Sequence, residues 1–328
     1  MPAFPKPKFE YNYNLGSEIK NLRQHKKLRQ IPEKGDAHLL IATWNLANFG
    51  IQKRRDEDLK IMAEIIGWFD VIALQEVRQN LADLKKLHAY VNGKYSALYT
   101  DTSGNDERMV FLYDNKKIKT RELVGEVAPY TRDLKNIKFE SVTSKFEGFD
   151  RNPFVQSFRW KNFEFCLTNV HLYFGSSKNK KKSIERRQLE TYAVARWAKM
   201  QRSKKYDAEP NIILLGDFNL PHMEKDDPIY KALTKFGMIL TEHSTQIGTT
   251  LPSEPTSKTQ KLYQYDQIAF FPNIKEHYTT ETGTFDFDTA IFKKLWEEVQ
   301  NKTKKQSQFN GYVKYYISDH RPLWGRFK

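Results

Sequence analysis

A chain of 328 residues with a single cysteine, Cys166, has no intramolecular disulfide framework and no multi-cysteine zinc site. That cysteine lies in the apolar stretch 163–167 and reads as a small buried side chain rather than a nucleophile. Long hydrophobic runs are missing as well, and no stretch approaches the roughly 20 apolar residues of a membrane span. The opening Met1-Pro2-Ala3-Phe4-Pro5-Lys6 lacks the apolar core of a secretory signal, so a cytoplasmic protein without a transmembrane segment is expected. No internal repeat recurs, and no Pro/Gly/Ser-rich linker divides the chain. Acid is in short supply: 40 Asp+Glu face 54 Lys+Arg, leaving a net charge of +14. That excess favours nucleic acid, phosphoinositide or an anionic membrane surface without choosing among them.

What is present reads as an ordinary globular protein, 39% hydrophobic and 29% charged. Residues 1–35 carry eight Lys/Arg against three Glu and read as a basic N-terminal arm or an accessory helix over Ser17 to Ile31. Residues 36–328 read as one domain. Strands are predicted at Leu39–Trp44, Val71–Leu74, Tyr95–Tyr99, Met109–Tyr113, Phe154–Trp160, Phe163–His171, Asn211–Gly216, Gln267–Phe271 and Gly311–Ile317. Helical spacing of apolar residues marks Arg55–Phe69, Gln79–Tyr90 and Ile184–Met200, with a helical insertion at Thr289–Val299. Strands grouped in both halves predict two packed mixed sheets flanked by helices.

Polar residues recur where apolar strands end. Ile41-Ala42-Thr43-Trp44 runs into Asn45, Val71-Ile72-Ala73-Leu74 into Gln75-Glu76, and Phe165 to Val170 into His171. Ile212-Ile213-Leu214-Leu215 runs into Gly216-Asp217-Phe218-Asn219, Tyr265-Asp266 precedes Gln267-Ile268-Ala269-Phe270, and Tyr315-Tyr316-Ile317 leads to Ser318-Asp319-His320. A buried carboxylate is costly unless paired or metal-bound, so six such junctions suggest strands converging on one polar site.

Trp44-Asn45, Gln75-Glu76-Val77-Arg78, Asn169-Val170-His171, Gly216-Asp217-Phe218-Asn219, Tyr265-Asp266 and Ser318-Asp319-His320 resemble, in order, the motifs of the endonuclease/exonuclease/phosphatase superfamily. The resemblance covers about residues 39 to 328 and is strongest to the deoxyribonuclease-like branch. It implies an α/β (α+β type) fold, a four-layer α/β/β/α sandwich with the site at one edge of the paired sheets. It also implies a metal-dependent phosphodiester hydrolase. Magnesium is the expected ion, with manganese or calcium as substitutes, held by Glu76 with Asp319 and Asn45 as supporting oxygens.

His171 and His320 suit proton transfer near neutral pH; Glu107 resembles the acid that orients the first and Asp266 the acid paired with the second. Asp217 and Asn219 share one face of an extended segment, Asp217 to orient or deprotonate water and Asn219 to donate to a phosphoryl oxygen. Arg78 and Arg151 resemble phosphate-contacting arginines. The expected reaction is in-line attack by water on a metal-bound phosphate, with acid and base roles of the two histidines interchangeable. Lys178, Lys180, Lys181, Lys182, Arg186 and Arg187 form a basic cluster that reads either as a grip on a flanking phosphate backbone or as a solvated loop.

The expected substrate is nucleic acid, DNA first, cleaved as an endonuclease by a monomer. A phosphatase or a sphingomyelinase-type phospholipid phosphodiesterase, recognising a phosphoinositide or phospholipid head group, is the enzymatic alternative. A nucleic-acid-binding module with an inactive site is the non-enzymatic one. Ala47 and the lack of disulfides depart from the secreted pancreatic pattern.

Overall fold

The computed structural model describes residues 3–91, 95–140, 142–175, 179–203, 209–220, 224–242, 247–251 and 263–328. Its first half runs α1 (Leu15–Leu28), β1 (Leu39–Phe49), α2 (Asp56–Ile66), β2 (Val71–Arg78), α3 (Ala82–Tyr90), β3 (Tyr95–Tyr99), β4 (Glu107–Asp114), β5 (Lys119–Glu126) and α4 (Thr131–Leu134). The second runs β6 (Phe154–Trp160), β7 (Phe163–His171), α5 (Lys180–Arg202), β8 (Ile212–Asp217), α6 (Pro228–Thr234), β9 (Ile239–Leu240), β10 (Asp266–Phe270), β11 (Tyr278–Thr284), α7 (Lys293–Gln300), α8 (Gln306–Tyr316) and β12 (Leu323–Phe327). Two six-stranded sheets result, in the orders β11-β12-β1-β2-β4-β3 and β5-β6-β7-β8-β10-β9. β1 and β2 are parallel, as are β7 and β8; the other pairings are antiparallel.

Period-two alternation explains why the central strands read as continuous apolar runs. Leu39 and Ile41 of β1, Val71 and Ala73 of β2, Phe165 and Leu167 of β7, and Ile213 and Leu215 of β8 meet in the core between the sheets. The intervening residues face helices. Leu40, Ala42, Trp44, Ile72 and Leu74 pack with α2, α3, α7 and α8, whereas Cys166, Ile212 and Leu214 pack with α5 and α6. The layers are therefore α/β/β/α, as expected.

One expected element is wrong. The final strand over Gly311–Ile317 is instead the C-terminal part of α8. Phe309, Tyr312, Val313 and Tyr316 recur at helical spacing and bury one stripe against the β1 side of the core, so periodicity overrides the strand preference of Tyr and Val. The true last strand, β12, inserts between β11 and β1. The helix expected at Thr289–Val299 begins only at Lys293, after a single 3₁₀ turn at Phe287–Thr289.

The basic N-terminal segment carries an accessory helix. Asn14 caps α1 by accepting from the Ser17 amide at 2.9 Å, and Leu22 is fully buried in the core shared with β1. At its other end Arg29 Nε and His25 Nε2 reach Asp286 Oδ1 at 2.6 and 2.7 Å. Burial works against the Asp286 carboxylate, but His25 and Arg29 outweigh it and bring its pKa down to about 2. A depressed folded-state pKa contributes stability above the unfolded value that is lost as pH falls through the folded one. Asp286→Asn is therefore expected to cost about 2 kcal/mol at pH 7. The gap from wild type should close between about pH 4 and pH 2, read from urea midpoints at each pH.

Candidate active site

The inward faces of six strands change from apolar to polar at the same edge. Along β1 that face reads Leu39, Ile41, Thr43, Asn45; along β2, Val71, Ala73, Gln75; along β7, Phe163, Phe165, Leu167, Asn169, His171; and along β8, Ile213, Leu215, Asp217. β4 and β10 run the other way, so their first residues, Glu107 and Asp266, arrive at this edge too. Gln75 Nε2 donates to Asn169 Oδ1 at 2.6 Å, and Asn169 Nδ2 donates to the carbonyls of Leu74 and Val110. These bonds stitch the two sheets where the apolar core stops.

Backbone irregularities aim the rest. The β2 register shifts between Leu74 and Val77, and Glu76 sits there at φ +59. β1 shifts between Asn45 and Phe49, with Ala47 at φ +47 and Asn48 at φ +52. As a result, Asn48 N and Asn45 Nδ2 donate to the two Glu76 oxygens at 2.8 and 3.0 Å. Gly216 has φ +136, and a Cβ there would lie 2.1 Å from the Val170 carbonyl oxygen. Only glycine lets β8 lie this close to β7 and carry Asp217 opposite His171.

Asp217 stands at the centre. Its Oδ2 is 3.7 Å from Nε2 of both His171 and His320. Each imidazole is backed by an acid on its other nitrogen: His320 Nδ1 lies 2.8 Å from Asp266 Oδ2, and His171 Nδ1 lies 2.9 Å from Glu107 Oε2. Burial opposes charge on His320, but Asp266 and Asp217 raise its pKa well above the ordinary histidine value. Burial and the nearby Asp217 push Asp266 up, with His320 pulling against them. For Asp217 burial is outweighed by His320, His171, the Asn219 amide and Asn45, which hold it below the usual carboxylate range. Burial is likewise overcome at Glu107, where His171, Arg151 and Arg78 bring the pKa down to about 2. Two acid-backed imidazoles facing one carboxylate can hold or move protons at two Nε2 atoms.

The remaining acids fit a cation. Ligand atoms of Glu76, Glu107 and His171 lie within 4.8 Å of one another. Burial raises the Asp319 pKa and the charge of Glu76 adds to it, which places these carboxylates in mutual repulsion. The two donors on Glu76 use two of its roughly four acceptor positions. Carboxylate oxygens suit a hard divalent ion, whereas His171 already faces Glu107 through Nδ1. Asn45 gives its amide to Glu76 and Asp217 and its oxygen to the Ala47 amide, so here it orients Glu76.

All of the expected site residues meet at this edge, and several of them also hold main chain or neighbouring side chains there. Arg78 is 5% exposed and binds the Asn105 carbonyl and Asn48 Oδ1, with Glu107 3.5 Å away. Arg151 donates to the His171 and Leu172 carbonyls, lies 3.6 Å from Glu107, and lines a cleft of about 300 Å³ with Glu76, Glu107, His171 and Phe174. Asn219 gives its side-chain amide to the Leu172 carbonyl.

Within the basic cluster, Arg187 is buried and holds the carbonyls of Tyr173, Phe174 and Asn219. Arg186 pairs with Asp150 and Glu190. Lys180, Lys181 and Lys182 are exposed, and Lys178 lies outside the described residues. Sequence reasoning missed Glu190 of α5, a fully buried acid that accepts from the amides of Asp150 and Tyr173 and so ties two site loops to one helix. Its main-chain partners leave no mark in the sequence.

Residues 21–326 match the model of Endonuclease/Exonuclease/phosphatase family 2. No curated protein matches the chain by sequence. Among solved structures, the Bacteroides thetaiotaomicron VPI-5482 mannosyl-6-phosphatase aligns with a TM-score of 0.54 at 19% identity, over 88% of this chain and 99% of that one. D. rerio TDP2 complexed with single strand DNA product gives 0.54 at 13%, over 89% and 99%. The human Nocturnin catalytic domain with bound sulfate gives 0.52 at 15%, over 90% and 96%. At these identities the likeness is one of fold.

Proposed function

The chain belongs to endonuclease/exonuclease/phosphatase family 2, whose members are metal-dependent hydrolases, and from that membership we propose a Mg²⁺-dependent endonuclease that cleaves DNA. The observation that carries this reading is Asp217 set 3.7 Å from the outer nitrogens of two acid-backed histidines. Glu76 and Asp319 would hold the ion, with Asn45 orienting Glu76. When bound, the ion supplies charge neutralisation at a phosphoryl oxygen.

The chain's own groups do the rest. Asp217 positions the attacking water and takes its proton, while His320, backed by Asp266, holds its own proton at the Nε2 facing Asp217. His171, oriented by Glu107, sits on the other side of Asp217, where it binds the phosphate or protonates the leaving oxygen. Arg78 and Arg151 hold Glu107 between them, and Arg151 borders the phosphate's place in the cleft. The +14 charge and the exposed Lys180–Lys182 run favour a polyanionic chain over a single phosphate monoester.

Supercoiled plasmid tests this directly. Nicking is expected with Mg²⁺ and should vanish in excess EDTA. Plasmid and single-stranded DNA both left intact after incubation with Mg²⁺ and with Mn²⁺ would remove DNA cleavage and leave RNA, phosphoinositides and sphingomyelin as substrates to try.

A further inference from the structure

Three aromatic rings form a row along the active-site rim. Phe174, in the cleft wall beside His171, has its ring 6.1 Å from that of Tyr265; Tyr265 stacks on Tyr263 at 5.3 Å and lies 6.3 Å from the His320 ring. The outer members are 42% and 44% exposed, high values for large rings beside a buried polar cluster. Their backbones are pinned. Arg187 holds the Phe174 carbonyl and stacks on its ring, the Phe218 amide donates to the Tyr265 carbonyl at 2.9 Å, and the Thr249 amide donates to that of Tyr263 at 2.9 Å.

Rings held in place and open to solvent beside a phosphate site offer flat π-faces at little ordering cost. The chain carries a net charge of +14 and the row borders the proposed phosphate site, so the occupant carries phosphate as well as a planar apolar group. We propose that the Phe174–Tyr265–Tyr263 row is a base-stacking platform, which takes an unpaired nucleobase next to the phosphate being cleaved. The inference rests on the nuclease reading and narrows it: stacked bases inside a duplex have no free face, so the preferred substrate is single-stranded or locally unpaired.

The test measures affinity by fluorescence anisotropy in EDTA with the full-length chain. Its probes are an oligothymidylate, a duplex of equal length and an oligomer of abasic tetrahydrofuran phosphates. Wild type should bind the oligothymidylate about tenfold more tightly than the abasic oligomer. Phe174→Ala and Tyr263→Leu should each remove most of that ratio, and Tyr263→Phe should keep it. Equal affinity of wild type for base-bearing and abasic strands overturns the platform, as does an unchanged ratio in both truncations. Plasmid nicking on the same preparations separates the two ideas. Nicking with a flat ratio removes only the platform, whereas wild type that neither nicks nor cleaves the oligothymidylate in Mg²⁺ removes the nuclease reading.

Discussion

Alanine at position 320 is expected to lower turnover roughly 100- to 10,000-fold, the usual worth of a positioned acid or base. His320 Nε2 faces Asp217, its Nδ1 is fixed by Asp266, and its main chain is fixed by two further bonds, to Ser318 Oγ and from the Trp44 indole. The variant removes the proton carrier and leaves that scaffold. Asp266→Asn tests the same assignment more finely. Asp266 is a main reason the His320 pKa is high, so its neutral replacement should move the pH-rate limb that reports His320 to lower pH while kcat falls. A limb rising with pH identifies His320 as the base, and a falling one as the acid. Near-normal turnover in His320→Ala at neutral pH would end this assignment.

Asp217→Asn should cost about 1,000-fold in kcat, within the same range, with KM little changed. The substitution keeps the shape and the oxygen that accepts from the Asn219 amide at 2.8 Å, but removes the only carboxylate within 4 Å of both Nε2 atoms among the described residues. An amide cannot take a proton from water, and His320 loses one of the charges that favour its protonated form. If the loss fell on KM alone, Asp217 would belong to substrate binding instead.

The sequence exposed the site more fully than the fold around it. Asn45, Gln75, His171, Asp217 and Asp266 interrupt or flank apolar runs, and a polar residue there stands out because the strands are buried on both faces. Glu107 was found only through motif likeness, since it follows no apolar run whose end it could mark, whereas Asp319 stood out at the end of Tyr315-Tyr316-Ile317, a run that closes α8 and not a strand. β5 escaped because it is an edge strand with a largely exposed, polar sequence. β12 escaped because Gly325 and Arg326 break its pattern. α8 was misread because its buried stripe is built from Tyr and Val, residues that favour strands when spacing is ignored. Arg187 looked like a surface contact for the substrate, and its partners are carbonyls 13 to 32 residues away that composition cannot reveal.

The stitched strands also bear on how such a protein can change over generations. Its candidate site residues extend the same inward faces that fill the core, with Gly216 and the Gln75–Asn169 bond at the junction, so drift there disturbs the fold and the proposed chemistry together. The aromatic rim and the lysines of α5 lie on segments outside that junction. A lineage can therefore trade one phosphate-bearing substrate for another by exchanging rim residues, while the reaction itself is inherited almost unaltered. Divergence in what is cleaved and conservatism in how it is cleaved would then follow from where one alternating pattern changes from apolar to polar.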